Sequence, residues 1–194
     1  MPARVFKEEE KETLKRKMLE AGLPLLKQYG LTHMSVAKIT AVAGIGTSTF
    51  YSFWKNKEEF VVSLSNYQET RILQKILTPE MKAGKVKPGK EEVRRFLKDL
   101  TDESVSIIPW LNLEDESRLF QHSDALIPDE EKESEKTENL LAMVEGVRQD
   151  IHPAVIANLV KILALSVESA SELHSSAYNE TIDCLIDTIL NQIF

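Results

Sequence analysis

The chain lacks the features of several large classes of protein. It has a single cysteine, Cys184, among 194 residues, which excludes an internal disulfide framework and suits a reducing compartment. Its most apolar segment, VIANLVKILALSV, is interrupted by Asn158 and Lys161 and is too short to span a bilayer. The first residues, MPARVFKEEEKE, lack the apolar stretch of a signal peptide. We therefore expect a cytoplasmic protein with no membrane partner.

Metal-binding and catalytic patterns are also missing. The four histidines and the lone cysteine do not show the spacing of zinc ligands. His122, Ser123 and Asp124 are the residue types of a hydrolytic triad, but adjacency in sequence does not give triad geometry. We therefore expect no metal, no cofactor and no catalytic residues.

Signals for β-strands are absent, and helical signals fill the chain. Apolar residues recur at steps of three or four instead of alternating, and the seven glycines form no hairpin pairs. Pro24 predicts a kink in the first helix. The pattern predicts an all-α fold with helices over residues 7–29, 35–43, 47–54, 57–77, 91–108, 110–121, 129–150, 153–174 and 178–193, and a linker over residues 78–90.

Polar residues and a glycine mark the ends of the short N-terminal helices. Ser35 is predicted to cap the start of the second helix. Gly44 is placed to end that helix in a left-handed conformation. Asn56 and Glu59 have the spacing of a capping box at the start of the fourth helix.

Charge is distributed unevenly along the chain. Residues 1–60 carry 10 basic and 7 acidic side chains, a net of +3, whereas the remainder carries 14 and 24, a net of −10. Attraction to phosphates is local, so a total charge of −7 does not exclude nucleic acid as a partner. The asymmetry predicts that the two parts meet different partners.

Three short helices with a glycine-containing turn before the third describe a helix-turn-helix. The third helix of that motif enters the major groove and needs small or polar residues at its tip. Thr47, Ser48 and Thr49 meet this need, while Tyr51 can hold a phosphate through its hydroxyl. The predicted DNA-binding residues are Ser35, Lys38, Thr47, Ser48, Thr49, Tyr51, Lys55 and Lys57.

Each of these residues also has a structural interpretation that involves no DNA, and the sequence does not decide between the two. Tyr51 can simply pack in a small domain, and Thr47 and Ser48 can serve only as caps. Lys38 is as readily a solvated helix lysine as a DNA contact.

The stretch SVAKITAVAGIGTSTFYSFWKNKEEF resembles the DNA-binding signature of TetR-family transcriptional regulators. The resemblance spans roughly residues 10–62. Thr40, Thr47 and Ser48 depart from the residues usual in the family, and tip residues set base readout, so no particular operator is implied. The residues that carry the resemblance are Ser35-Val36, Ile39, Ala43-Gly44-Ile45, Thr49-Phe50-Tyr51, Trp54 and Lys57-Glu58.

The resemblance implies the rest of the architecture. It implies a DNA-binding domain over residues 1–56 and an all-helical domain over residues 57–194 that binds a small-molecule effector and forms a homodimer. A two-fold dimer should bind a pseudo-palindromic double-stranded operator. The chain is then expected to be a repressor that its effector, of unknown identity, releases from DNA.

Two sets of side chains are predicted for the second domain. Aromatic and large apolar residues can line an effector pocket between helices, although plain core packing is the better account of each one taken singly: Tyr67, Phe96, Trp110, Phe120 and Met143. Apolar stripes on the last two helices can form half of an intersubunit four-helix bundle, or can be buried within one subunit: Leu159, Leu163, Ile182, Leu185, Ile186, Ile189 and Ile193.

Two other classes of function compete with a regulator. One is an enzyme on a helical bundle, with acid–base chemistry from Glu114, Asp115 and Glu116. Three consecutive residues cannot share one helix face, so solvated charge explains them better. The other is a helical scaffold that binds proteins and not DNA.

Overall fold

The computed structural model of the chain describes residues 8–122 and 130–194. These residues form helices, turns and loops without a strand, so the predicted all-α fold is confirmed. In chain order the α-helices are α1 (Glu8–His33), α2 (Val36–Ala43), α3 (Thr47–Phe50), α4 (Lys57–Ile76), α5 (Pro79–Lys82), α6 (Lys90–Thr101), α7 (Leu113–His122), α8 (Glu130–Ala142), α9 (Pro153–Glu168) and α10 (Tyr178–Ile193), with 3₁₀ turns at Ile108–Trp110 and Ala170–Glu172.

The helices group into two compact units. The described part of unit 1 is residues 8–67 and 114–122, and that of unit 2 is residues 68–113 and 130–194. The division falls within α4, which begins in unit 1 and ends in unit 2. The boundary predicted after residue 56 remains a prediction.

The first helix breaks at a different residue from the one expected. The backbone keeps helical dihedral angles through Pro24, and the break lies at Gly30, with φ 63° and ψ 170°. Pro24 is exposed, so water can bind the carbonyl of Glu20, which loses its helical donor. The kink predicted near Pro24 is therefore replaced by a sharp turn six residues later.

Unit 1 is built on a close approach between α1 and α4. A methyl group placed on Gly22 would lie 2.7 Å from Leu64 Cδ2 and 3.1 Å from Phe60 Cζ. Glycine therefore lets the two helices pack closer than a side chain would allow. The fully buried side chains around this contact are Met18, Leu26, Leu31, Met34, Ile39, Phe50, Phe60 and Leu64.

The predicted helix ends of unit 1 are present. Ser35 Oγ accepts from the Lys38 backbone N–H at 3.3 Å, and Gly44 ends α2 in the left-handed region at φ 68°. Asn56 Oδ1 accepts from the Glu59 N–H at 2.7 Å. Glu59 closes the reciprocal bond on the N–H of Lys55, at 2.8 Å, one residue before the position expected of a capping box.

Unit 2 packs α6, α9 and α10 around an aliphatic core. Ile186, Leu190 and Leu163 are each 2% exposed or less. Two ion pairs join α6 to α10, Arg94 to Asp187 at 2.6 Å and Lys98 to Asp183 at 3.0 Å. Several helices here are shorter than predicted. The helix α6 ends at Thr101 and α9 ends at Glu168, and the 3₁₀ turns at Ile108–Trp110 and Ala170–Glu172 follow them.

None of the described helices is both long enough and apolar enough to cross a bilayer.

The left-handed end of α2 gives a test of unit 1. Gly44→Ala should lower the free energy of unfolding by about 1–2 kcal/mol, since alanine is strained in this region. No atom lies within 4 Å of the added methyl, so the cost is conformational. Gly46→Ala is the matched control, because Gly46 has φ −79° and room for a methyl. Equal urea-unfolding midpoints for the two variants would contradict this account.

Candidate nucleic-acid interface

A cluster of three aromatic side chains supports the single turn of α3. Phe50, the last residue of α3, is 0% exposed and Trp54 is 4% exposed. The ring centroids of Phe50 and Trp54 lie 5.2 Å apart, and Phe60 lies 5.8 Å from Phe50 and 5.0 Å from Trp54. Isolated helices this short do not form in water, so α3 depends on Phe50 for its position.

The indole N–H of Trp54, which is the polar group of the aromatic cluster, has a hydrogen-bond partner within unit 1. Trp54 Nε1 donates to Ser63 Oγ on α4 at 2.8 Å. A buried indole N–H without such a partner would be costly. This bond therefore fixes the indole orientation against the first half of α4.

The predicted DNA-reading tip is presented to solvent. Gly46 precedes α3 with an extended backbone, and the side chains of Thr47 and Ser48 are exposed while Thr49 is half-buried. Tyr51 is 58% exposed, and its ring meets that of Phe50 edge-on at 5.5 Å. The helix ends at Phe50, and residues 51–53 form a turn, where a longer helix was expected.

Two predicted DNA-binding residues of α2 have contacts within the unit. Ser35 is the N-cap of α2. Lys38 Nζ donates to the carbonyl of His33 at 2.8 Å and lies 3.9 Å from the centroid of the Tyr29 ring. The side chain of Lys38 therefore lies over the end of α1, and its role in DNA binding remains a prediction.

The two lysines that flank the start of α4 differ in environment. Lys55 has a side chain that is 77% exposed, and its ammonium lies 3.5 Å from Glu59 Oε1. Lys57 is half-buried and donates to main-chain carbonyls at the end of α1. Burial lowers the pKa of Lys57, and the nearby Arg118 guanidinium lowers it further, while Glu58 and Asp115 act in the opposite direction.

Sequence reasoning missed the contacts between α7 and the first turn of α4. Arg118 Nε donates to Glu58 Oε1 at 3.1 Å, and the Glu58 side chain is only 7% exposed. Asn56 Nδ2 donates to the carbonyl of His122 at 3.0 Å. These partners are more than 50 positions apart in sequence, and no local pattern connects them.

The described part of the predicted effector pocket is divided between the units. Tyr67 belongs to unit 1, where its hydroxyl lies 3.3 Å from Glu20 Oε1. Phe96 and Trp110 belong to unit 2; Phe96 packs against the aliphatic core, whereas Trp110 Nε1 donates to the Glu103 carbonyl. Met143 is 53% exposed. The Phe120 side chain lies outside the described residues, and the pocket remains a prediction.

Unit 2 also has an open cavity of about 500 Å³, and Phe96, Trp110 and Met143 are not among the described residues that line it. Leu141, Val144 and Ile151 form part of its wall, beside Lys87 and Glu145. Lys87 Nζ donates to the carbonyl of Ala142 at the end of α8.

Most of the side chains predicted for the dimer interface are used inside unit 2. Five of them, Leu163, Ile182, Ile186, Ile189 and Ile193, are at most 6% exposed. Their burial leaves little of each side chain for contact with a second copy, and the interface expected from the sequence remains a prediction. Leu159 and Leu185 are partly buried. The large apolar side chains that α9 exposes are Val155, Ile162 and Leu165.

The geometry of unit 1 is that of a helix-turn-helix domain. Residues 18–64 match the family model described as bacterial regulatory proteins, tetR family. This segment contains α2, α3, the aromatic cluster and the first turns of α4. This N-terminal segment therefore resembles the DNA-binding part of TetR-family bacterial regulators.

Solved structures share the fold over nearly the whole chain. A TetR-family transcriptional regulator from Haemophilus influenzae is 18% identical, with a TM-score of 0.50, over 96% of this chain and 99% of that one. A Rhodococcus sp. protein assigned to the family is 14% identical, with a TM-score of 0.54, over 94% and 100%. Thermus thermophilus FadR, a TetR-family repressor in complex with lauroyl-CoA, is 14% identical, with a TM-score of 0.51, over 93% and 95%.

At these identities the structural likeness shows the fold alone. No curated protein matches the chain by sequence.

The contact between α7 and α4 predicts an effect on stability. Arg118→Met should lower the free energy of unfolding by about 2 kcal/mol, because it leaves the carboxylate of Glu58 buried without its cation. This figure is below that of a fully buried pair because the Arg118 side chain is 40% exposed.

Lys11→Met is the matched control, since it breaks an ion pair whose Glu8 partner is 81% exposed. Exposed pairs contribute at most about 1 kcal/mol. Urea unfolding of both variants measures the difference, and equal losses would show that Glu58 does not depend on Arg118.

Proposed function

We propose that this protein is a TetR-family regulator: a cytoplasmic, homodimeric repressor that binds a pseudo-palindromic operator and is released from it by a small-molecule effector. The observation that carries the proposal is the exposed tip of α3. Its polar side chains stand on a buried aromatic cluster, so they are presented at the surface on a rigid support.

The chemistry of the tip suits contact with duplex DNA. The hydroxyls of Thr47 and Ser48 can donate to or accept from base edges, and the Tyr51 hydroxyl can donate to a phosphate oxygen. Lys55 supplies an exposed positive charge. The proposed surface also includes three residues that lie nearer to the core of the domain: Thr49, Ser35 and Lys38.

The proposed operator follows from two-fold symmetry. Two recognition helices related by a dimer axis would read half-sites about 34–36 Å apart, one turn of B-DNA. Since each subunit offers few cations, affinity should fall with salt less steeply than for a strongly basic protein.

The dimer is proposed to form through the exposed apolar stripe of α9. Val155, Ile162 and Leu165 are each more than 40% exposed and are spaced by seven and three residues, on one face of the helix. Three of the large apolar side chains that the structure exposes are thus on a single helix. A contiguous apolar surface exposed to water is typical of an interaction site, and a second copy of the chain would remove this stripe from water.

Effector release requires that the ligand distinguish two states of the protein. In this proposal an effector bound among the helices of unit 2 shifts α4, which is a single helix from Lys57 to Ile76. A ligand can shift the equilibrium only by its difference in affinity between the DNA-competent and incompetent states. The fold holds lauroyl-CoA in the Thermus protein, so acyl thioesters belong in the first effector screen.

The enzyme alternative has little support among the described residues. Asp115 is buried, whereas Glu114 is exposed, so the two carboxylates face different surroundings. Family members are regulators. Within residues 8–122 and 130–194, no three or more His, Cys, Asp or Glu side chains are grouped so that they could hold a metal ion.

Removal of two hydroxyls tests the DNA-binding role directly. The Thr47→Ala, Tyr51→Phe double variant should lose about 30-fold or more in affinity for an operator found by selection from genomic fragments, since each specific contact contributes about 1–3 kcal/mol. Its melting temperature and dimer mass should match those of the wild type, because both side chains are exposed.

The control is Thr101→Ala with Tyr178→Phe, which removes the same groups from unit 2. Unchanged operator binding by the first variant would contradict the assignment of the tip to DNA. A loss of folding would show that the two residues belong to the core.

A charge on the α9 stripe tests the dimer. Ile162→Glu should raise the dissociation constant of the dimer by about 100-fold or more, because two carboxylates would be buried against apolar surface. Val86→Glu is the control, since Val86 is also exposed but lies outside the stripe. Analytical ultracentrifugation measures both, and an unchanged dimer in Ile162→Glu would place the interface elsewhere.

A further inference from the structure

The ammonium of Lys57 is surrounded by main-chain carbonyls. Its Nζ lies 2.6 Å from the carbonyl oxygen of Leu31, 3.1 Å from that of Met34 and 3.3 Å from that of Thr32. A lysine ammonium has three N–H donors, so this set uses all of them. No donor remains to bind a phosphate oxygen while these bonds persist.

Two of the carbonyls, of Leu31 and Thr32, belong to the last turn of α1, and the third belongs to Met34, which precedes the N-cap of α2. Leu31 and Thr32 lie in the short helical turn after the break at Gly30, and the last carbonyls of a helical turn lack donors within it, which favours a lysine there. Leu31 and Met34 are each 1% exposed, so water has little access to the residues that bear two of these acceptors. Lys57 therefore satisfies groups that the domain could not easily leave unpaired.

The position of this junction determines where the helix-turn-helix begins. Met34 is followed at once by Ser35, the N-cap of α2. Lys57 is the first residue of α4, and its neighbours Asn56 and Glu58 bind α7. Contacts with α7 on both sides of Lys57 therefore hold the first turn of α4, and they fix the position of the Lys57 backbone.

We propose that Lys57 is a positioning residue that ties the end of α1, and with it the start of α2, to the first turn of α4, and that it is not a phosphate ligand. The proposal rests on the DNA-binding function proposed above. It replaces the phosphate contact that the sequence predicts for Lys57.

Lys55 and Lys57 provide a matched pair of variants, because they are the same residue type two positions apart. The affinity of each variant for the selected operator is measured over a range of salt concentrations. A lysine that contacts a phosphate contributes about 0.9 to the slope of log K against log salt, whereas a positioning residue contributes nothing to that slope.

Lys57→Met should lower operator affinity by about tenfold or more at every salt concentration, which corresponds to the loss of charge-assisted hydrogen bonds, with an unchanged slope. Lys55→Met should lower the slope by about 0.9. If Lys57→Met lowers the slope as Lys55→Met does, Lys57 binds phosphate and the proposal is wrong.

Lys57→Arg separates the roles even if Lys57→Met fails to fold. Arginine binds phosphate at least as well as lysine, but its planar fork cannot direct three donors at these three carbonyls. We expect Lys57→Arg to lose about tenfold or more in operator affinity. Wild-type affinity in this variant would overturn the proposal.

Hydrogen exchange tests the tie without DNA. The Met34 amide donates to the carbonyl of Gly30 at 3.1 Å, so its exchange rate reports on the junction. Exchange at Met34 should be faster in Lys57→Arg than in Lys55→Arg, and equal rates would contradict the tie. If the wild-type protein bound no specific DNA, the proposed function would fail, while this comparison would still decide the role of Lys57.

Discussion

The burial of Phe50 against Trp54 and Phe60 is the constraint on which the proposed interface depends. The helix α3 has four residues, Thr47–Phe50, and a single turn has no stability of its own in water. It stays helical because its last side chain is fully buried between two other aromatic rings. Every exposed residue of the tip takes its position from that anchor.

The local distribution of charge explains how an acidic protein can present the proposed DNA-binding surface. The net charge of −7 describes the whole chain, whereas phosphates respond to the charges within about one Debye length. The N-terminal residues 1–60 have a net charge of +3. Neutral hydroxyls at the tip can then supply specificity, while a small number of lysines supplies attraction.

The local features of unit 1 could be predicted because neighbouring residues determine them. The Ser35 cap, the left-handed Gly44 and the Asn56 cap each depend on bonds between residues at most four positions apart. The all-α fold could be predicted from periodicity, and the match of residues 18–64 to the family model could be predicted from one dense motif. The end of α3 was not predicted. Tyr51 and Phe53 make ring contacts with Phe50 and Trp54 from a turn, and the spacing of aromatic residues alone does not distinguish that turn from a helix.

Features that depend on distant residues could not be predicted. A helical apolar stripe shows that a face is buried but not whether its own chain or a second copy buries it, which is why Ile186 and Ile189 were expected at an interface and lie in the core. The partners of Lys57 lie 23 to 26 positions away, and those of Asn56 and Glu58 lie farther. Only a tertiary structure brings these groups together.

Binding to the DNA that flanks the protein's own gene tests the central claim most directly. It is measured at two salt concentrations, with an excess of nonspecific competitor. The account predicts competitor-resistant binding to one pseudo-palindromic site, weaker at the higher salt concentration. Binding no tighter than to random DNA, there and at every fragment recovered by a genome-wide selection, would contradict it.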